Sequence, residues 1–286
     1  MAQPSPLQDT VMLARSFLFV PGHRPERFEK AVASGADVVI LDLEDAVAAD
    51  RKEEARGNVA AWLDQGHQAV VRVNGAGTEW YADDLDAVGG RTSVVMVPKA
   101  EDPAELTGLT DRLPAGTGIV PLVETAAGVL KAFEVCAVSS VLRPAFGGVD
   151  LAAQLGVDHT SYDALRHARS ALVVAAAAAG RAAPVDGVTT AVRDNAVLRA
   201  DIAHAIGLGY GGKLCVHPEQ VGTTNRDFTP ADEQIAWAHR VVAAAGHGSA
   251  TVVDGQMVDR PVLLRAQAVL ARARAAGSGP VATGDE

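Results

Sequence analysis

Short apolar runs alternate along the chain with longer amphipathic stretches, and the alternation repeats eight times. The runs are SFLFVPG (16–22), DVVILDLED (37–45), AVVRVN (69–74), SVVMVPK (93–99), GIVPLVET (118–125), RPAFGGVD (143–150), APVDGV (183–188) and GKLCVHP (212–218). Their near-continuous apolar character predicts strands buried on both faces, as in parallel sheets covered by helices. Helical stretches separate them: PERFEKAVASG, TEWYADDLDAV, DPAELTGLTDRL and AAGVLKAFEVCAV, then segments near 161–180 and 194–206. Strict strand-then-helix alternation implies parallel strands with right-handed crossovers, and eight units close an α/β barrel of the (β/α)8 type. An open doubly wound sheet is the alternative, but the first strand-to-helix turn, VPGHRPERF, carries no GxGxxG. APVDGV is the faintest of the eight strand signals.

The barrel is expected over 15–246, with PADEQIAWAHRVVAAAG (230–246) as its last helix because Ala231, Ile235, Ala238, Val241 and Val242 recur at helical spacing. Residues 1–14 lack periodicity and read as a flexible tail; 247–276 read as a lid loop and terminal helix that the barrel does not need, and 277–286 as a frayed end. A length of 286 residues suits one such domain. With 25 basic and 35 acidic residues the net charge is −10, which argues against nucleic-acid or membrane-surface binding. Any anionic ligand therefore has to be held by local basic groups. Cys136 and Cys215 stand far apart without metal-type spacing, so neither a disulfide framework nor a zinc site is implied and a reducing cytoplasm fits. The longest apolar run, 171–179, is far short of the ~20 residues of a membrane span, and a soluble protein is expected.

Five of the strands end in residues suited to a small carboxylate: LDLED, VRVN, VMVPK, PLVET and AFGGVD. Parallel barrels place their chemistry at those C-terminal strand ends. Glu124 and Asp150 end adjacent strands, and two such carboxylates suit a hard cation, magnesium or alternatively manganese, with water and substrate oxygens completing the shell. The competing reading is that either acid caps the helix after it. Arg72, inside an apolar strand, needs a charge partner; its planar fork suits a substrate carboxylate or enolate oxygen, and a structural pair with Glu44 or Asp45 is compatible with that. Glu44 and Asp45 are expected beside the metal and Arg72 rather than on the metal. Lys99 reads as a pocket lysine or as a solvated loop lysine. A basic run in an acidic protein, His23, Arg24, Arg27 and Lys30 after the first strand and Arg51, Lys52 and Arg56 after the second, suits phosphate groups beside the mouth, against the alternative of a solvated helix face. His217 and Cys215 read as structural residues of the eighth strand, and Trp237 carries little signal.

In order, FLFVPGHRPERFEKA, VILDLEDAV, VRVN, VMVPK, PLVETAAG, AFGGVDLA, GKLCVHPEQV and DGQMVDRPVL resemble the citrate lyase beta-subunit-like branch of the HpcH/HpaI aldolase superfamily, from about 16 to 270. The resemblance implies a TIM barrel, usually trimeric, that binds magnesium and cleaves or forms a carbon–carbon bond in a coenzyme A thioester such as malyl-CoA, methylmalyl-CoA or citramalyl-CoA. It puts Glu124 and Asp150 on the metal ligands, Arg72 on the substrate arginine, and Asp259 on a C-terminal acid sent into a neighbouring subunit's site. The basic run, in this reading, holds the phosphates of CoA. Val149, where many relatives carry an acid, and PVDGVTTAVRDN depart from the pattern. Three other functions stay open: a class II aldolase on free 2-oxoacids, a citrate lyase subunit acting on an acyl-carrier thioester, and a CoA-binding scaffold without turnover.

Overall fold

The computed structural model describes residues 3–245 and 251–277. The chain divides into two compact units, Met1–Thr224 and Asn225–Glu286. In the first, eight parallel strands close a barrel in sequence order: β1 Ser16–Pro21, β2 Val38–Asp42, β3 Val70–Arg72, β4 Val94–Val97, β5 Gly118–Val123, β6 Ala145–Phe146, β7 Val185–Asp186 and β8 Gly212–Cys215. Closure runs through β8 and β1, with Phe17 opposite Leu214. The faint seventh strand is present with two residues, pairing Val185 with Ala145 and with Gly212.

Side chains alternate faces along a strand, and the barrel interior is built from one parity. Phe17, Val38, Ile40, Val70, Val94, Met96, Val120, Leu122, Ala145, Val185 and Leu214 form a single buried cluster. Continuing that parity by one step brings Asp42, Arg72 and Glu124 to the same inward face at the C-terminal ends of β2, β3 and β5. The opposite parity carries Asp186 and Lys213 out towards the helix Tyr162–Ala178, where Asp186 accepts from Arg169 Nε at 3.0 Å and from Lys213 Nζ at 2.9 Å.

Two expected boundaries are corrected. Of the expected N-terminal tail, Pro6–Leu13 is a helix, opened by Pro6 at its first turn and by a capping box between Ser5 and Gln8, and residues 1–2 lie outside the described residues. Its Leu7 and Val11 join the interior cluster, so the helix closes the N-terminal end of the barrel. Arg143, fully buried, fastens it there by donating to Val11 O at 3.1 Å and Ala14 O at 2.7 Å while its Nε donates to Ala183 O. Burial pushes the Arg143 guanidinium down to about 9. The eight-residue stretch was too short and too mixed to show periodicity; tertiary burial of two side chains and the cap make it a helix.

The second correction concerns the last barrel helix. The helix after β8 is Pro218–Phe228, while Asp232–Ala245 belongs to the second unit. PEQVGTTNRDF has few apolar positions and gave no periodic signal, whereas the following segment did. Within the second unit Asp232–Ala245 packs with the helix Arg260–Gly277 through Ala238, Val241, Ala266, Val269 and Leu270. A hairpin of β9 Thr251–Val253 and β10 Gln256–Val258 precedes that helix, turning at Asp254 and Gly255, both with positive φ. Residues 247–250 of the expected lid, and the expected tail beyond Gly277, lie outside the described residues.

The Asp186 cluster sets an acid limit on stability. Burial raises the Asp186 pKa, but Lys213 and Arg169 outweigh it and hold the carboxyl below its ordinary value. A depressed folded pKa contributes stability that is present above the unfolded value, about 3.9, and lost as pH falls through the folded one. Asp186→Asn is expected to destabilise by about 3–5 kcal/mol at neutral pH, since it strands two buried cations. Urea unfolding at pH 7 and pH 3 checks this: the gap between parent and variant narrows at pH 3, and an equal gap at both would refute it.

Candidate active site

Asp42 and Arg72 face one another directly across β2 and β3. Arg72 Nε and Nη2 donate to the two Asp42 oxygens at 2.6 and 2.7 Å, and the guanidinium lies 4.7 Å over the Phe19 ring. Burial lowers the Arg72 pKa, but Asp42, Glu44 and Asp45 more than offset it, so the net shift is upward. The Asp42 oxygens also accept the amides of Glu44 at 2.9 Å and Ala46 at 3.0 Å, so one carboxylate fixes both the arginine and the loop that follows β2. Arg72 Nη1 remains on the cavity side, 3.0 Å from Glu44 Oε2 and 3.7 Å from Asp45. The expected structural pair is present, although the main partner is Asp42 rather than Glu44 or Asp45, and Arg72 also lines the cavity.

Glu124 is buried at 2 % exposure, and Asp150 stands exposed in the first turn of the helix Gly148–Leu155. Neither acid caps the next helix: Thr125 caps Ala126–Leu130, and Gly147 stands at the cap position before Asp150. Gly147 is required there, because a Cβ at that position would lie 2.3 Å from the Glu124 Cβ. Glu124 Oε1 accepts the Lys99 amide at 2.8 Å, and no described residue hydrogen-bonds Oε2. Burial, joined by the Asp150 and Glu44 charges and opposed by the Lys99 amide, pushes the Glu124 carboxyl up to about 8. Glu44, 5 % exposed, is also raised, first by burial, against Arg72 and the Lys99 ammonium 2.6 Å from its Oε1.

Asp42, Asp45, Arg72, Glu124 and Asp150 line one cavity of about 330 Å³ with Phe19 and Phe146 on its apolar walls. Val149, 38 % exposed, lines it beside Asp150. Among the described residues no set of three His, Cys, Asp or Glu donors converges as a closed metal site. Two oxygen donors, one of them a buried carboxyl whose charge is disfavoured by burial and a neighbouring acid, fit a hard divalent cation that keeps most positions for water or substrate. A larger cavity of about 1030 Å³ lies at the opposite end of the barrel, by Gln8 and Gly116. Its two charged lining residues are engaged elsewhere, Arg91 with Asp64 and Arg181 with backbone carbonyls, which leaves the smaller cavity as the candidate site.

The basic run separates into two groups. His23 is half-buried with no hydrogen-bond partner for Nδ1, Arg24 pairs with Glu26 at 2.6 Å, and Arg27 and Lys30 are exposed. Burial, with Arg51 and Arg24 nearby, lowers the His23 pKa. Lys52 and Arg56, expected on the same ligand, are committed to the fold. Lys52 Nζ donates to Leu43 O at 2.7 Å, Glu44 O at 2.8 Å and Asn74 Oδ1 at 2.7 Å, which exhausts its three protons. Arg56 pairs with Asp84 at 3.2 Å and Asp83 at 3.3 Å. Asp259 is exposed in the second unit, and its Oδ1 accepts the Val262 amide at 3.1 Å at the start of the terminal helix.

The HpcH/HpaI aldolase/citrate lyase family model matches residues 15–218. The chain belongs to that family. In this family member the strand ends just described all fall inside the matched region. The chain is 40% identical over 270 residues to a citrate lyase subunit beta-like protein of Mycobacterium tuberculosis, covering 92% of this chain and 96% of that one. A (3S)-malyl-CoA thioesterase of Cereibacter sphaeroides is 35% identical over 271 residues, covering 91% and 95%. The crystal structure of CitE from Mycobacterium tuberculosis in complex with magnesium, acetoacetate and coenzyme A superposes with a TM-score of 0.79 at 38% identity, covering 92% of this chain and 99% of that chain.

Three positions that hold the mouth of this family member in place were not singled out from the sequence. Asp42 was visible only as an acid in phase with Val38 and Ile40 inside an apolar strand. Asn74 shows only as the polar end of VRVN and Asp84 not at all: Asn74 donates to Leu43 O at 2.9 Å and to Asp84 at 2.6 Å, completing with Lys52 a buried strap under the Glu44 loop. Lys52→Met is therefore expected to lower stability by about 2–3 kcal/mol through unsatisfied buried acceptors and to speed hydrogen exchange at the Glu44 and Ala46 amides. A lysine that served only to bind phosphate would leave both measurements unchanged.

Proposed function

We propose that the protein is a magnesium-dependent carbon–carbon lyase acting on a 3-hydroxyacyl-CoA thioester of the malyl-CoA, methylmalyl-CoA or citramalyl-CoA type, releasing or consuming a 2-oxoacid and acetyl- or propionyl-CoA. The observation that carries this reading is one cavity holding a buried acid, Glu124, a second acid, Asp150, and an arginine fixed by Asp42. Family membership and the ligands of the CitE structure support it.

Glu124 and Asp150 would hold the cation, which when bound polarises the oxo or hydroxyl oxygen and carboxylate of the oxoacid part. Arg72, immobilised by Asp42, aims its remaining donors at the oxygen that gains charge as the thioester enolate forms. Cleavage breaks the bond between the hydroxyl-bearing carbon and the carbon next to the thioester. The hydroxyl gives its proton to solvent at the mouth and becomes the oxo group, and the bonding pair becomes the enolate. Asp259 of a neighbouring subunit in a homotrimer returns a proton to that carbon. Glu44 and Asp45 hold Arg72 and the water of the mouth in place. His23, Arg24, Arg27 and Lys30 take the phosphates of CoA, giving remote binding energy for orientation. Free-oxoacid aldolase activity would leave those four without a ligand. The buried free thiols of Cys136 and Cys215 suit a cytoplasmic setting. No helix among the described residues is long and apolar enough to cross a membrane.

The test is a panel of the three thioesters with magnesium, reading glyoxylate or pyruvate against free hydroxyacid. Oxoacid with acetyl- or propionyl-CoA is the expected product; hydroxyacid and free CoA alone would replace the lyase reading with thioester hydrolysis. Glu124→Gln and Asp150→Asn are each expected to weaken magnesium binding at least tenfold by calorimetry, about 1.4 kcal/mol or more, and unchanged affinity in both would remove the metal assignment.

Asp259 needs a separate check. Asp259→Asn and Arg72→Ala chains, each inactive, are expected to regain activity when mixed under verified subunit exchange, since some sites then combine an intact Arg72 with an intact Asp259. No recovery would rule out shared sites.

A further inference from the structure

Lys99 touches two acids of the mouth at once and has no part in the steps above. It stands just after β4 with φ of 50°, in the left-handed region that side-chain-bearing residues avoid, a sign of constraint near a functional site. That backbone turn directs its amide to Glu124 Oε1 at 2.8 Å, while its Nζ reaches Glu44 Oε1 at 2.6 Å and lies 4.0 Å from Glu124 Oε1. Glu44 and Glu124 are both more than nine-tenths buried, and Asp150 and Glu44 each act electrostatically on Glu124. Lys99 is the cation between Glu44 and Glu124, and without it Glu44 would keep only Arg72, 3.0 Å from its other oxygen, against the charge of Glu124 and Asp150.

We propose that Lys99 is a positioning residue that sets the ligand number of the cation site. Its ammonium holds Glu44 as an internal ion pair, and its amide occupies Glu124 Oε1, which leaves Glu124 Oε2 and the Asp150 carboxylate for the metal. Two carboxylates suit magnesium, which keeps several waters; three would favour calcium, which takes more oxygen ligands in a more flexible shell. The inference rests on the magnesium reading of the preceding subsection.

Lys99→Met keeps a long side chain at the same backbone position and removes the charge. Magnesium and calcium are titrated separately by calorimetry. The variant is expected to bind calcium roughly tenfold more tightly, as an added ligand charge does in calcium sites, with a smaller change for magnesium, so the calcium-to-magnesium affinity ratio rises. Adding Glu44→Gln is expected to return the ratio to the parental value, and Lys99→Arg, which keeps the charge, to leave it near parental. A merely structural lysine would shift the unfolding temperature without moving that ratio.

Metal-free protein in chelator gives the second readout. There Lys99→Met is expected to lower the unfolding midpoint and Glu44→Gln in that background to restore it. Lys99→Gly, which suits the positive φ, takes the place of the methionine variant if that one does not fold. An unchanged ratio in a folded variant, with parental protein binding magnesium, overturns this inference alone. A raised ratio that survives Glu44→Gln also overturns it, because the added ligand would not be Glu44. Parental protein that binds neither cation overturns the magnesium reading and this inference together.

Discussion

The pairing of Asp42 with Arg72 inside the barrel mouth is the interaction on which the site depends. Two charges buried side by side are stable only when geometry and further hydrogen bonds compensate their lost hydration. Here the two strands supply the geometry, since the residues are register partners, and the loop after β2 supplies two amides to the same carboxylate. Asp42 thereby becomes a fourfold acceptor. It fixes the plane of the guanidinium, leaves donors on the cavity side, and starts the turn that carries Glu44 and Asp45.

That turn is held from below as well. Lys52 and Asn74 engage the carbonyls of Leu43 and Glu44, and Asp84 and Arg56 extend the strap to the outer helices. The loop is thus tied through both its amides and its carbonyls, and the acid it presents has a defined position against Lys99. Preorganised charge of this kind costs no rearrangement when the substrate's own charge develops.

The same period-two alternation separates stability from chemistry. Inward positions are apolar through the middle of the barrel and polar only at the C-terminal ends, while the outward positions of β7 and β8 hold a self-contained ion cluster of Asp186, Lys213 and Arg169. The N-terminal end is closed by the helix Pro6–Leu13 and stapled by Arg143. The Asp186 cluster and Arg143 therefore hold the fold from the outer face and the far end, while Lys52 reaches the loop of the mouth.

The sequence by itself determined the eight strands, their closure into a parallel barrel and the mouth positions of Arg72, Glu124 and Asp150, because apolar runs and their polar ends are local properties that repeat with the strand period. Asp42 was not singled out there, because only the register between β2 and β3 makes that acid the partner of Arg72. Which lysine or arginine of a charge run is spent inside the fold was decided by the tertiary structure: Lys52 and Arg56 look like their neighbours in the chain, and only the approach of Asn74, Asp83 and Asp84 from the next unit distinguishes them from Arg24 and Lys30. The N-terminal helix and the true eighth helix were likewise hidden, since each is short or polar and owes its conformation to caps and a few buried side chains. Lys99 could be read as solvated or as part of the site until the backbone turned it, and that turn is set by the two acids it meets, which lie 25 and 55 residues away in the chain.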